Sequence, residues 1–510
     1  MSFSTVLSAS ISGLKVEFVH VEADVSNGLP AFVMVGYLSS EVKEASERVR
    51  TAIRNSGLDY PAKKTVINLS PATMKKRGAA FDLPIAVSIL VSLGKIRQTG
   101  VGDILILGEL GLDGKVQKIP GILPILLEAR EQGITKCLIP RENAAEGALA
   151  EGISVIGVQS LRETVEYLNG NLVIGRTEPC RYEREGGEER TLDYRDIRGQ
   201  GAVKRAAEVA VAGGHNLLLI GPPGSGKSMT AQRIPSIFPP MTQEESMEIT
   251  KIYSILGMVD SQRPLIRKRP FRSVHHTTTK TALVGGGLIP APGEISLAHE
   301  GVLFLDELPE FSKNVLEVLR QPLEDHRIRI SRAQGNYLFP ANFMLVGAMN
   351  PCPCGCYPDM NRCSCTPGQI QNYLGKLSQP FLDRMDICVE APKVEYEALK
   401  GGGEEECSAA IRERVCRARE IQTLRYQGSK INSNAMLSGG EAEKYCVLGE
   451  REERMMKQAF STLGLTARTY HKILKVARTI ADLAGAEKID AVHLQEAIGY
   501  RALDKKYWGR

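Results

Sequence analysis

The amino-acid sequence predicts an α/β protein of several domains that ends in a mostly helical part. Its 510 residues exceed what a single hydrophobic core normally organises. Short apolar segments, typical of buried strands, alternate with segments of helical periodicity over most of the chain. After Ala409, the remaining clear pattern is helical. We therefore expect sheet-based domains followed by a small helical domain.

The first domain is predicted to span residues 1–175. Ala31–Val35, Thr65–Leu69 and Ile104–Gly108 are apolar segments typical of strands. A helix between the first two is predicted from apolar side chains at helical spacing, namely Val42, Ala45, Val49 and Ile53. A further helix is predicted over residues 122–130.

Two breaks separate this domain from the rest of the chain. Residues 176–192 are highly charged and poor in apolar side chains, so they are predicted to be a linker. A second break is expected near the glycine and glutamate residues that follow Lys400. The central domain is then predicted over 193–398 and the helical domain over 399–510.

Composition excludes several classes of protein. The chain begins without the basic and apolar regions of a secretory signal. Its most apolar stretch, Leu83–Leu93, is far shorter than the ~20 residues that a transmembrane helix needs. We therefore expect a cytoplasmic protein with no membrane partner. The net charge of +5 is too small to indicate nucleic-acid binding by itself.

A glycine-rich loop follows the first strand of the central domain. The apolar segment Asn216–Ile220 runs directly into a match to G-x-x-x-x-G-K-S. Backbone N–H groups in such a loop, together with the start of the next helix, stabilise phosphate. The motif predicts ATP held with Mg²⁺, Lys227 contacting the β/γ-phosphates and Ser228 ligating the metal. The predicted nucleotide contacts are Gly221, Pro222, Pro223, Gly224, Ser225, Gly226, Lys227 and Ser228.

Two further apolar segments end in polar side chains. The first is followed by Asp306, predicted to join the Mg²⁺ shell, and Glu307, predicted to activate the attacking water. The second begins at Phe343 and ends at Asn350, which can reach the γ-phosphate from a neighbouring strand. A solvated acidic loop is the alternative for the carboxylate pair.

These three motifs together resemble the AAA+ superfamily of P-loop ATPases, which have a parallel-sheet core and a helical lid. The resemblance implies that Asn350 is the sensor-1 residue and Arg468 the sensor-2 residue. It also implies that Arg384 is an arginine finger acting on ATP bound by the adjacent subunit. An ordinary ion pair is the alternative for either arginine. A finger acting in trans implies a homo-oligomer, and a hexamer is the family expectation.

The segment Ala282–His299 resembles the helix-2 insert of the magnesium-chelatase branch. Its glycines and prolines predict an exposed loop. Together with residues 306–311 and 350–355, it resembles the YifB/ComM family of magnesium-chelatase-like ATPases. That resemblance implies a ring motor acting on single-stranded or branched DNA, by helicase action or branch migration in recombination or natural transformation. A magnesium-chelatase-type metal-insertion motor subunit and an ATP-dependent protein remodeller are the alternatives.

Positive charge is concentrated in two segments of the central domain. The first, residues 261–293, contains no acidic residue and six basic ones: Arg263, Arg267, Lys268, Arg269, Arg272 and Lys280. The second is a predicted hairpin carrying Arg327, Arg329 and Arg332. Both are predicted to face the pore of a ring and follow a phosphate backbone. A solvated basic surface is the alternative.

Five of the 11 cysteines lie close together after Asn350. Two C-x-C pairs are a candidate structural Zn²⁺ site, formed by Cys352, Cys354, Cys363 and Cys365. Reduced cysteines lining a turn are the alternative, because C-x-x-C is the usual spacing. The adjacent His275 and His276 have too few other ligands nearby in sequence for a metal site, and are predicted to be buried or hydrogen-bonded.

The N-terminal domain resembles the proteolytic domain of Lon proteases. The resemblance lies in residues 76–82 and 108–116. Lon-type catalysis needs a serine nucleophile activated by a lysine. Ala80 and Leu123 occupy the corresponding positions here. The resemblance therefore implies a Lon-like α/β fold that lacks the catalytic dyad.

Overall fold

The computed structural model describes residues 3–179, 192–287, 290–332, 335–394, 396 and 405–509. The predicted linker over 176–192 lies mostly outside this part of the chain, as does the predicted break after Lys400. Residues 288–289 of the insert and 333–334 of the predicted hairpin also lie outside it.

The N-terminal part is built on a seven-stranded mixed sheet. The strands of the sheet are β1 (Phe3–Ser12), β2 (Lys15–Ser26), β3 (Ala31–Val35), β4 (Lys64–Ser70), β5 (Ile104–Ile106), β8 (Lys136–Pro140) and β9 (Ser154–Val158). Two short strands, β6 (Glu109–Leu110) and β7 (Val116–Gln117), form a separate hairpin. The sheet order is β3-β4-β2-β1-β5-β8-β9, with β2 antiparallel to both of its neighbours and the other pairs parallel.

Five helices cover this sheet. They are α1 (Ser40–Asn55), α2 (Asp82–Ser92), α3 (Ile122–Glu131), α4 (Arg141–Gly147) and α5 (Leu161–Leu168). Helix α1 buries the apolar stripe that its sequence predicts, because side chains three or four residues apart share one face. Helix α2 is buried along its whole length, so it shows no amphipathic pattern. The strands and helices predicted between residues 31 and 130 are confirmed.

The central part contains a five-stranded sheet whose neighbouring strands are all parallel. Its strands are β10 (Leu217–Ile220), β11 (Phe271–Val274), β14 (Val302–Leu305), β17 (Met344–Met349) and β18 (Ile387–Glu390). They lie in the order β11-β14-β17-β10-β18. The three inner strands are buried at every position, which explains their uninterrupted apolar sequences. All carboxyl ends therefore share one edge of the sheet, and all amino ends share the opposite edge.

Helices and two small hairpins surround this sheet. The helices are α6 (Gly201–Gly213), α7 (Lys227–Arg233), α8 (Gln243–Ile255), α9 (Lys280–Val284), α10 (Glu294–Leu297), α11 (Lys313–Glu317), α12 (Arg320–Asp325), α13 (Pro367–Leu374) and α14 (Gln379–Leu382). The hairpin strands are β12 (Gly285–Gly286) with β13 (Ala291–Pro292), and β15 (Arg327–Arg332) with β16 (Gly335–Pro340).

The C-terminal part described by the structure is helical, as predicted. Its helices are α15 (Ser408–Arg425), α16 (Gly439–Tyr445), α17 (Glu450–Leu463), α18 (Ala467–Leu483) and α19 (Ala491–Trp508). One hydrophobic cluster joins these helices to α6 and to the inner strands, including Val211, Ile473 and Leu474. Across the described residues, no helix combines the length and the hydropathy that crossing a membrane requires.

The N-terminal part docks on helix α8 through helix α3 and its surroundings. The backbone N–H of Gly121 donates to the carbonyl of Ser254 at 2.8 Å. The Ser254 hydroxyl donates to the buried carboxylate of Glu146 at 2.5 Å. Leu123 is fully buried in a cluster with Leu265 of the central part. Leu123 is therefore part of an apolar contact between the two parts of the chain.

Candidate functional site

The glycine-rich loop, residues 221–228, joins the carboxyl end of β10 to helix α7. Gly224 and Gly226 have φ values of 74° and 86°, a conformation that side chains rarely adopt. At Gly221, a Cβ atom would lie 2.2 Å from the carbonyl oxygen of Ala391. The local fold thus requires glycine at these positions and leaves backbone N–H groups around the start of α7.

Lys227 points into this loop. Its Nζ donates to the carbonyl oxygens of Gly221 at 2.7 Å and Pro222 at 2.9 Å, and to Oδ1 of Asn350 at 3.2 Å. Burial lowers the pKa of the Lys227 ammonium, and the negative charge of Asp306 opposes that effect. A partly desolvated ammonium with neutral acceptors favours an anionic ligand in the loop.

The acidic pair lies beside the loop because β14 is only two strands away from β10. Ser228 donates from Oγ to Oδ2 of Asp306 at 2.6 Å, so the two predicted Mg²⁺ ligands already meet. Glu307 follows in a left-handed conformation with φ 52°, and its backbone N–H donates to Asp306 Oδ1 at 2.9 Å. With Lys227 and Asn350, these residues form one group at the carboxyl edge of the sheet.

The two predicted arginines lie elsewhere. Arg384 and Arg468 line one cleft together with Asn216, Gly301 and Met344, which mark the amino ends of the strands. The inner strands, of four to six residues, place about 13–20 Å between the two edges. Neither arginine therefore reaches the glycine-rich loop of its own chain.

Arg384 has partners within the chain. Its guanidinium donates to Oε1 of Glu324 at 2.5 Å and to the carbonyl of Pro380 at 2.5 Å. Its side chain is 8% exposed, whereas that of Glu324 is 59% exposed. Its Nε is buried with no hydrogen-bond partner among the described residues. Within the single chain, Arg384 thus forms an ion pair, which was the alternative to an arginine finger.

The structure adds two residues to the neighbourhood of the site. Gln200 donates from Nε2 to the carbonyl of Ser225 at 3.0 Å, which ties the segment before α6 to the glycine-rich loop. His276 Nδ1 lies 3.6 Å from Oε2 of Glu307. No sequence motif marks Gln200. The position of His276 could have been predicted from sequence, because it follows β11 and so lies at the same edge of the sheet as Asp306.

The four cysteines of the two C-x-C pairs come together. Their sulfur atoms all lie within 4.8 Å of one another, with separations of 3.4, 3.5 and 3.8 Å among Cys352, Cys354 and Cys363. Four thiolates at about 2.3 Å from Zn²⁺ would be about 3.8 Å apart in a tetrahedron. Cys356 lies outside this group and contacts the carbonyl of Cys354 instead. The donor set therefore fits a structural zinc ion.

The cysteine loop, residues 352–365, contacts the glycine-rich loop directly. Gly355 has φ 79°, and a Cβ there would lie 2.3 Å from Cδ of Pro223. On its other side, the ring of Tyr357 packs against Tyr507 of helix α19 with centroids 6.0 Å apart. The cysteine loop thus lies between the glycine-rich loop and the C-terminal helix.

Serine substitutions at Cys363 and Cys365 test the zinc assignment. We expect the double variant to purify without stoichiometric zinc and to unfold at a lower temperature, because a zinc ion bound by the four thiolates would hold this small loop together. Cys356→Ser is the matched control and should retain both metal and stability. Metal analysis and thermal unfolding measure the two effects. Unchanged zinc content and ATPase activity in the double variant would contradict the assignment.

The predicted exposed loop over residues 282–299 is wrong in part. Leu283, Ile295 and Ala298 are fully buried in the core beside the sheet. Gly285 and Gly293 allow β12 and β13 to approach so closely that a Cβ on either would lie 2.3 Å from backbone atoms. The glycines therefore build a compact ribbon between two short helices, rather than an open loop.

The basic run over 261–293 also offers fewer free positive charges for a phosphate backbone than its composition suggests, because two of its arginines are paired within the chain. Arg269 is mostly buried and pairs with Glu245 of α8 at 3.0 Å. Arg272 pairs in a bidentate manner with Glu294 at 2.6 and 2.8 Å. The acidic partners, Glu245 and Glu294, lie outside the run, so counting charges within it missed them. Lys280 remains exposed.

The predicted arginine hairpin is confirmed as β15–β16. Ile328 and Ile330 point into the core, while Arg327, Arg329 and Arg332 are exposed on the hairpin. The N-terminal part contacts its inner face, where Ser12 Oγ lies 3.4 Å from the hydroxyl of Tyr337.

Comparison with known protein families gives matches to three separate segments of the chain. Family models described as magnesium chelatase subunit ChlI match residues 193–399, and models of the ChlI subunit and its C-terminal part match 21–143 and 405–501. The chain is 42% identical over 510 residues to the protein YifB of Salmonella typhimurium, covering 99% of this chain and 98% of that protein. It is 43% identical over 511 residues to the competence protein ComM of Haemophilus influenzae, with the same coverage.

The chain belongs to the YifB/ComM family of magnesium-chelatase-like proteins. A weaker similarity links it to the Lon protease of Mycolicibacterium smegmatis, with 28% identity over 140 residues, or 26% of this chain and 18% of that protein. YifB/ComM proteins are thus related to magnesium chelatase along most of their length, with a partial Lon similarity.

Proposed function

We propose that this YifB/ComM-family protein is an ATP-hydrolysing motor that works on DNA as a ring of identical subunits. One observation carries the proposal: Lys227, Ser228, Asp306 and Asn350 meet at the carboxyl edge of a parallel sheet, while Arg384 lies at the opposite edge. This arrangement supports a P-loop AAA+ site that is completed by a neighbour.

The residues of the carboxyl edge divide the chemistry among them. The glycine-rich loop and Lys227 would hold the phosphates of ATP, and Ser228 with Asp306 would hold Mg²⁺. Glu307 would accept a proton from the attacking water, and Asn350 would contact the γ-phosphate. The metal neutralises charge that develops on the phosphates during transfer.

The opposite edge supports a ring. One guanidinium nitrogen of Arg384 has no hydrogen-bond partner among the described residues, and another is held by an exposed carboxylate, Glu324. The Glu324 side chain can turn toward water, because an exposed carboxylate loses little when water replaces its partner. A neighbouring subunit that presents its glycine-rich loop to this cleft would offer ATP as a stronger partner. Head-to-tail contacts of this kind form a ring when the rotation between successive subunits closes, and we propose a hexamer.

The DNA substrate is supported by the exposed arginine hairpin and by the name of the competence protein ComM among the relatives. Arginine side chains on a two-stranded ribbon can contact phosphates without reading sequence. We propose that the hairpin contacts single-stranded or branched DNA during helicase action or branch migration.

ATPase rates measured with no addition, single-stranded DNA, a four-way junction and unfolded protein test the substrate. We expect stimulation by DNA, and a loss of that stimulation in Arg327→Ala/Arg329→Ala with the basal rate retained. The slope of the logarithm of the DNA-binding constant against the logarithm of the salt concentration should also become shallower, by about one for each lost phosphate contact. Arg412→Ala, an exposed arginine on α15, is the control and should behave as the unaltered protein.

The two alternatives predict different results in the same assay. A protein remodeller would be stimulated by unfolded protein and not by DNA. A metal-insertion motor subunit would respond to neither. Either outcome, with ATP hydrolysis intact, would overturn the DNA proposal while leaving the ATPase proposal standing.

A further inference from the structure

We propose that His276 is a positioning residue that holds the carboxylate of Glu307 in its working orientation. This inference rests on the proposed ATPase function. It concerns a histidine that no motif assigns, and it begins from the 3.6 Å separation of His276 Nδ1 and Glu307 Oε2.

Glu307 has few other constraints on its side chain. The side chain is 60% exposed, and the backbone hydrogen bond to Asp306 fixes only its main chain. An exposed glutamate samples several rotamers, and ordering such a long side chain costs conformational entropy. Hydrolysis is slower when the general base occupies several rotamers, because the reacting atoms must be held within hydrogen-bond reach.

His276 is itself well held. It lies two residues after the end of β11, the strand that pairs with β14 in parallel register, so the sheet brings it to the same edge as residue 307. Its ring packs against that of His275 with centroids 4.0 Å apart, and edge-on against Phe311 with centroids 6.4 Å apart. The side chain is 31% exposed, about half as exposed as Glu307. A packed imidazole thus faces a loosely held carboxylate.

The neighbouring histidine does different work. His275 Nδ1 lies 2.9 Å from Thr277 Oγ1 and within reach of the Thr277 backbone N–H, which stabilises the turn into α9. The separation at His276 is an ion-pair distance, longer than a hydrogen bond. Such contacts in ligand-free sites commonly shorten when substrate binds. The Nδ1–H group would then donate to Glu307 Oε2.

The chain also connects this contact to the substrate-facing region. His276 is followed within four residues by α9 and the β12–β13 ribbon, and Gly286 of the ribbon lies beside Arg332 of the arginine hairpin. The arginine hairpin and the residue that contacts Glu307 are thus linked through one short segment of chain.

The full-length protein, assayed for ATP hydrolysis with and without DNA, tests the role. We expect His276→Ala to lower kcat about tenfold, with KM for ATP within about twofold, because orientation and not nucleotide binding is lost. His276→Asn supplies an N–H donor near the position of Nδ1 and should recover most of the rate. His275→Ala is the matched control and should stay within about twofold of the unaltered protein.

A double-mutant cycle separates positioning from folding. In the Glu307→Gln background, adding His276→Ala should cause no further loss in single-turnover hydrolysis, because the group that it orients is already disabled. An equal tenfold loss in both backgrounds, or a rise in KM without a fall in kcat, would overturn the inference. If the unaltered protein hydrolyses ATP and all His276 variants match it, the inference fails alone. If the unaltered protein does not hydrolyse ATP, the proposed function fails.

Discussion

Glu307→Gln should bind ATP normally and hydrolyse it at least about 100-fold more slowly than the unaltered protein. Glutamine keeps the size of the side chain and the left-handed backbone at this position, but its amide cannot accept the proton of the attacking water. The phosphate-binding loop and the Ser228–Asp306 pair are untouched by the change, so nucleotide affinity should be retained.

Steady-state hydrolysis and equilibrium binding of a labelled nucleotide measure the two effects separately. Glu310→Gln is the control, because Glu310 lies three residues further on, half-exposed, and pairs on the surface with Lys376 at 3.2 Å. It should leave both quantities within about twofold. A Glu307→Gln protein that hydrolyses ATP at the normal rate would remove this carboxylate from the reaction.

The carboxyl-edge group was predictable because its signals are local. In a parallel sheet, the carboxyl ends of adjacent strands meet at one edge, so Asp306, Asn350 and the glycine-rich loop that carries Ser228 could be placed together from the ends of three apolar segments. The same reasoning accounts for Arg384, which precedes β18 and therefore lies at the amino edge. The strand order itself was not needed for these inferences.

Other features depend on contacts that sequence does not reveal. The basic run contains no acidic residue, yet Arg269 and Arg272 are paired, because Glu245 and Glu294 approach from outside it. The insert looks like an open loop in sequence, since glycine normally indicates turns. Here glycine instead permits close backbone contact in the ribbon. The position of Arg468 in the same cleft as Arg384 depends on how the helical domain packs, which periodicity alone does not specify.

Arg384→Ala and Lys227→Ala should each be inactive alone and recover activity when mixed. The first variant has an intact glycine-rich loop, and the second has an intact arginine. In a head-to-tail ring, the active site lies between the loop of one subunit and the arginine of the next. Random mixing in equal amounts makes about a quarter of the interfaces intact, so hydrolysis should rise toward about a quarter of the normal rate.

The double variant Lys227→Ala/Arg384→Ala is the control for this experiment. Mixed with Arg384→Ala, it supplies no arginine and should restore nothing, although the subunits still assemble. Lys227 and Arg384 of one chain are too far apart to act on the same ATP, because a sheet about 13–20 Å deep separates them. Complete absence of recovery, or a monomer that hydrolyses ATP at full speed, would mean that Arg384 serves only its ion pair with Glu324 and that no ring is required.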